Sequence, residues 1–342
     1  MRRLKARGWS VAVMAVAATG LAACGSSSST SKSSSATSAS ASSTTVGSTQ
    51  ITSLTVATLP VVDNVVIWEA VSEGFFTKHG LNVTYKNLSG GGPATINAVQ
   101  SGSVQFAQFS SPVFMIAAGQ GIPITSVAEM DEFPATNSPE GIFVKSSSSI
   151  QSVADLKGKT IGVNSLTSLE AVRLETEALP AAHLTLSDVH LVPIPFPQMQ
   201  EALSTGEVQA VIPFDPFTTR LRQSSGFREL TNFHQYIPAG GLSLGVIAAE
   251  NSYVTSHPQV VSEFDAAIAQ SISFIQANQQ QAAALASKVL GLPESITLTA
   301  LGNIKLVSGG TQDLTTYNNM VTALKSVKLV PSTFNVANYI SK

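Results

Sequence analysis

The sequence predicts an α/β protein of two lobes, each a doubly wound, mostly parallel sheet. Three observations predict it. The body that begins at Ile51 is about 290 residues, near the size at which single cores stop growing and chains divide. Strand-like runs alternate along it with helical patterns, as in layered α/β folds. A segment also recurs: residues 98–107, AVQSGSVQFA, return as residues 202–211, ALSTGEVQAV, and Pro112 returns as Pro216, each pair 104 positions apart.

The chain before that body reads as an address. Arg2, Arg3, Lys5 and Arg7 precede an apolar run over residues 9–22, long enough for a secretory leader and too short to span a bilayer. The run ends in Leu21-Ala22-Ala23-Cys24, which resembles the bacterial lipoprotein cleavage box. That resemblance makes 1–24 a removable signal and Cys24 the lipidated first residue of the mature chain. Residues 25–50 are almost all Ser, Thr, Ala and Gly, a composition that buries too little surface to fold, and they are expected to be a disordered tether. The mature protein is then anchored to the outer face of the cytoplasmic membrane through lipid.

Each copy of the repeat reads as a helix end, a Gly cap (Gly102, Gly206), and a buried strand opening into a polar loop. Upstream runs at 54–58, LTVAT, and 160–163, TIGV, supply a preceding strand, so each copy looks like βαβαβ. Ligands of such sheets sit beyond the carboxyl ends of the strands. The glycine-rich stretch LSGGGPATI at residues 88–96 falls there, without the Lys and Ser or Thr of a phosphate loop or the spacing of a dinucleotide fingerprint. Its glycines would let a ligand approach the backbone at a helix start. The candidate ligand residues are Asn64 in the segment 60–66, Ser89, Gly91, Gly92, Ser110 and Ser111 in the first copy. In the second they are Asn164, Thr167, Ser168, Phe214 and Asp215. Hydroxyls and helix N–H groups facing each other across a cleft suit a small polar or anionic ligand, with few aromatic walls. Asp215 has two readings, a partner for a ligand amine or a cap for the helix that Pro216 begins. Arg173 and Arg220 read as solvated helix charges.

Composition excludes several classes. There are 19 basic and 21 acidic residues, a net charge of −2, so no basic face is available for nucleic acid. Cys24 is the single cysteine, which removes disulfides, cysteine zinc clusters and a Cys nucleophile from the mature chain. The five histidines, at 79, 183, 190, 234 and 257, show no metal-ligand spacing, and no cofactor is implied. Gly241-Leu242-Ser243-Leu244-Gly245 matches G-x-S-x-G, but the residues after Ser243 read as strand where a nucleophile elbow needs a helix.

In this order, GFFTKHGLNV (74–83), AVQSGSVQFA, AAGQGIPI (117–124), SVADLKGKTIGV (152–163), EALSTGEVQAVIPFDPF (201–217) and HPQVVSEF (257–264) resemble the solute-binding proteins of nitrate, sulfonate, taurine and thiamine-pyrimidine importers. The resemblance implies the type II periplasmic-binding-protein fold, with 51–142 plus 241–342 forming lobe 1 and 143–240 forming lobe 2. Two crossovers, near 141–146 and 237–242, would join them and close like a hinge. Residues Val261, Phe264, Ile268, Ile272 and Ile275 then fall on one face of a helix packed on lobe 1. Family members commonly carry Trp where this chain has Phe214. The implied function is capture of a sulfonate, taurine or nitrate type of solute by a monomer that delivers it to an ABC permease and ATPase. The alternatives are binding of a thiamine-pyrimidine precursor and a pyrimidine-synthase-like enzyme of the same fold.

Overall fold

The computed structural model describes residues 51–134, 136–307 and 312–341. The leader, Cys24 and the Ser-rich tract lie outside them. Eleven strands occur among the described residues: β1 (Thr52–Thr58), β2 (Leu81–Asn87), β3 (Phe106–Ser110), β4 (Ile124–Glu132), β5 (Gly141–Lys145), β6 (Thr160–Val163), β7 (His190–Pro193), β8 (Ala210–Val211), β9 (Phe227–Asn232), β10 (Ser243–Glu250) and β11 (Lys305–Leu306). They form a six-stranded sheet, β2-β1-β3-β10-β4-β11, and a five-stranded sheet, β7-β6-β8-β5-β9.

The two sheets are built alike. In each, three strands run parallel (β2-β1-β3 and β7-β6-β8), and an antiparallel strand follows, laid down as the chain passes between lobes: β10 in the first, β5 in the second. This is the two-lobed periplasmic-binding-protein fold, with two crossover segments.

The sequence repeat has a physical counterpart. The Gln105 amide donates to the Thr55 carbonyl at 3.0 Å, and the Gln105 Oε1 accepts from the Thr55 amide at 2.9 Å. Gln209 repeats both bonds on Thr160, at 3.0 and 3.1 Å. One residue type thus satisfies both backbone groups of the neighbouring strand where the new strand enters the sheet. Gly102 and Gly206, at φ 70° and 85°, end the preceding helices in the left-handed region that favours glycine.

Burial follows the pleat. Along β5, Ile142 and Val144 join the core on the outer side of the second sheet, while Phe143 faces the core that continues towards the first lobe. The helix Pro258–Ala277 buries Val261, Phe264, Ile268, Ile272 and Ile275 on one face, as their spacing predicts.

The first passage between sheets occupies residues 133–140, between β4 and β5, earlier than expected. The run at 141–145 is itself the antiparallel strand of the second sheet, and an apolar crossing strand and a sheet strand carry the same pattern. The return passage occupies 233–242 and contains the expected 237–242.

Candidate functional site

The carboxyl ends of the parallel strands of both sheets meet at one narrow cleft with about 30 Å³ of free volume. Its lobe 1 wall comes from the loop after β1 (Leu59, Val61, Asp63), the helix Gly91–Gln100 (Gly92, Thr95), the end of β3 (Gln108, Phe109, Ser110), Val113 and Leu244. Lobe 2 supplies Asn164, Ser168, Leu169, Glu170, Phe196 and Phe214.

Of the residues expected here, Gly92, Ser110, Asn164, Ser168 and Phe214 line the cleft. Gly91 borders it differently: at φ 62°, its missing Cβ would stand 2.5 Å from Asn164 Oδ1, so this glycine lets the lobes touch. A Cβ on Gly92 would stand 2.6 Å from Val113 Cγ1, within its own lobe. Asn64 is fully buried beside the cleft, its Nδ2 donating to the Leu59 carbonyl at 3.1 Å. Ser89 is exposed and Thr167 half-buried, and neither lines the cleft.

Three expectations need correction. The Ser111 hydroxyl is fully buried and donates to the Ser243 carbonyl at 2.7 Å, so it holds β10 and is spent before any ligand arrives. Asp215 lies off the cleft lining and settles as a cap and tie. Its Oδ1 accepts from the Thr219 amide at 2.8 Å in the helix Phe217–Arg222, and its Oδ2 accepts from Asn303 Nδ2 of lobe 1 at 2.7 Å. Its carbonyl accepts from the Val62 amide at 3.0 Å, a second tie between lobes. The cleft also has more aromatic wall than expected, since Phe109, Phe196 and Phe214 all line it, with Phe196 and Phe214 ring centroids 6.4 Å apart.

Sequence reasoning missed the cleft's charge. Asp63 and Glu170 line it, 2% and 3% exposed, and among the described residues no Lys, Arg or His lines it. Asp63 Oδ2 accepts from Gln108 Nε2 at 3.2 Å. Burial pushes the Asp63 carboxyl up to about 7. Burial, reinforced by the Glu140 carboxylate, pushes Glu170 up to about 8. Behind Asp63, burial and then the Asp63 carboxylate itself raise Asp131 well above the usual carboxylate range. Asp63 sat inside a segment the sequence did point to, one position from Asn64. Glu170 gave no signal, since an acid in the first turn of a helix is ordinary.

Arg173 is the other departure. It is fully buried at the hinge: Nη1 pairs with Glu140 at 2.5 Å, Nη2 donates to the Phe233 carbonyl at 2.7 Å, and Nε donates to Glu177 at 3.0 Å. Its guanidinium lies over the Phe133 ring, 4.3 Å from the centroid. Phe133 and Glu140 belong to the first passage and Phe233 to the return passage, so one side chain clasps both. Ser243 opens β10 and is followed by strand, while His257 stacks on Tyr253 beyond the far end of that strand, so the G-x-S-x-G match builds no nucleophile elbow.

A profile described as NMT1/THI5 like matches residues 63–282, about two thirds of the chain. The chain belongs to that family. Among relatives of this NMT1/THI5-like protein, one of Brucella abortus (strain 2308), named as a binding protein, is 25% identical over 238 residues, covering 69% of this chain and 70% of its own. One of Escherichia coli (strain K12), named for binding aliphatic sulfonates, is 24% identical over 212 residues, 61% of this chain and 63% of its own. The alkanesulfonate-binding protein SsuA of Xanthomonas axonopodis pv. citri, solved with MOPS, superposes with a TM-score of 0.71 at 19% identity, over 84% of this chain and 98% of its own. That likeness shows the fold. The desulfurization enzyme DSZB shares it too, at a TM-score of 0.62.

Proposed function

We propose that this protein is the solute-capturing component of an ABC importer, holding a small molecule in the cleft between its lobes and delivering it unchanged to a permease and ATPase. The observation that carries this is the cleft itself. Both lobes wall it, glycine permits their contact at Gly91 and Asn164, and Asp215 ties them at Val62 and Asn303. A ligand that touches both walls favours the closed arrangement by its differential affinity for it. The leader and Cys24 fit an exported, lipid-anchored monomer, and no described helix is long and apolar enough to cross a membrane. Relatives named for aliphatic sulfonates and for thiamine biosynthesis, the latter a Haemophilus influenzae protein 28% identical over 226 residues, define the solutes to try.

Thermal-shift titration of the mature protein with nitrate, alkanesulfonates, taurine, aminopyrimidines and amidines tests the reading. One class raises the melting temperature with saturation, and the solute is recovered unchanged. Conversion of the solute, or no response to any class, contradicts the reading. Anchoring is tested separately: labelled palmitate enters the wild type and is lost in Cys24→Ala.

A further inference from the structure

We propose that the cleft takes a small organic cation, an amine or amidine with an apolar or aromatic body, whose N–H groups reach Glu170, Gln108 and Asp63. This rests on the reading of the cleft as a solute site and specifies its ligand.

The lining has an imbalance of donors and acceptors. Glu170 Oε2 and Gln108 Oε1 are both buried without a hydrogen-bond partner, and both are acceptors. Gln108 spends an N–H on Asp63, which turns its oxygen away from that carboxylate and leaves it unpaired. Buried polar groups in a folded protein find partners, and an unpaired one costs stability. Gln108 Oε1 needs a donor, and so does Glu170 Oε2 when that carboxyl is ionised, whereas a protonated Glu170 brings an O–H of its own. A sulfonate or nitrate brings acceptors alone. It would leave Gln108 Oε1 as it is and, wherever Asp63 and Glu170 are ionised, set its own charge beside theirs, with no Lys, Arg or His among the described lining residues to offset it.

Three hydroxyls at or beside the cleft already make hydrogen bonds within the protein. Ser111 donates to the Ser243 carbonyl, Thr95 donates to the Gly91 carbonyl at 3.2 Å, and Ser168 Oγ accepts from the Ala171 amide at 3.4 Å. The helix Gly91–Gln100 meets the cleft through Gly92 and Thr95, and buried Asp63 lines the same cleft. A cation completes the set: it donates to Glu170 and Gln108, and its charge favours the ionised form of the two acids that burial alone disfavours. Phe109, Phe196 and Phe214 supply an apolar and aromatic surface for the rest of the molecule.

Two probes with the same ring and opposite heads decide it. Titration calorimetry of the mature wild type with benzamidine and with benzenesulfonate compares them at equal concentration. Benzamidine gives saturable binding and benzenesulfonate none. Glu170→Gln weakens benzamidine at least tenfold, while Glu201→Gln, on an exposed helix face, leaves it unchanged. Saturation by benzenesulfonate with none by benzamidine overturns the cation and leaves solute capture standing. Binding of neither probe to the wild type at millimolar concentration also overturns it, and the wider solute panel then judges capture independently. An unchanged benzamidine affinity in Glu170→Gln removes Glu170 from the site. Should that variant fail to fold, the wild-type comparison of the two heads still decides the charge of the ligand.

Discussion

Single buried acids set the chemistry of this cleft, and their protonation should be visible in stability. In the folded chain Asp63 titrates near 7 and Glu170 near 8, both raised by burial from the ordinary carboxylate range. Asp63 faces Asp131 and Gln108, and Glu170 faces Glu140 and Arg173. Because the folded values lie above the unfolded ones, the native state holds more protons between about pH 4 and pH 8. Stability therefore falls as pH rises through that window. Melting temperatures of the ligand-free protein from pH 5 to 9 should decline and then level above about 8. Glu170→Gln should flatten part of the decline and raise stability at pH 8 by about 1 to 3 kcal/mol; a profile that rises from pH 5 to 8 contradicts this. At the same scale, Ser111→Ala should lower stability by about 1 kcal/mol, the value of a typical buried hydrogen bond, and leave ligand affinity nearly unchanged. Denaturant midpoints and calorimetry of that variant separate the two effects.

Among elements, legibility depended on whether the signal was local. The repeat at a spacing of 104 was readable because Gln105 and Gln209 each do a job fixed by the strand beside them, and helix-ending glycines advertise left-handed backbone. Gly91 was expected to let a ligand approach the backbone, and the structure sets it against Asn164 of the other lobe. Arg173 was misread because a charge on a short helix is by default solvated, and its burial is made by Glu140 and Phe233, 33 and 60 residues away. Removing that clasp has a large cost. Arg173→Met should destabilise by about 3 to 5 kcal/mol, since it leaves buried Glu140 unpaired, and adding Glu140→Gln should recover much of the loss. Chemical unfolding of the single and double variants measures this, and equal midpoints for both would remove the ion pair from the account. Gly91→Val should keep the fold of lobe 1 but hold the lobes apart, because a side chain there meets Asn164 in a backbone region only glycine favours. Its far-UV spectrum should match the wild type while solute binding is lost.

For the whole molecule, the order of alternating elements and the repeat made the two lobes readable, because patterning and connection rules act over short stretches. The charge of the cleft was not readable, since it depends on which residues from seven separate segments converge after folding. The account's central claim is that a solute bound between the lobes closes them. Small-angle scattering of the mature wild type, with and without the solute that raises its melting temperature most, tests this directly. The account predicts a smaller radius of gyration at saturating solute, and a radius in Gly91→Val that stays at the larger value throughout. An unchanged wild-type radius at saturation would contradict it.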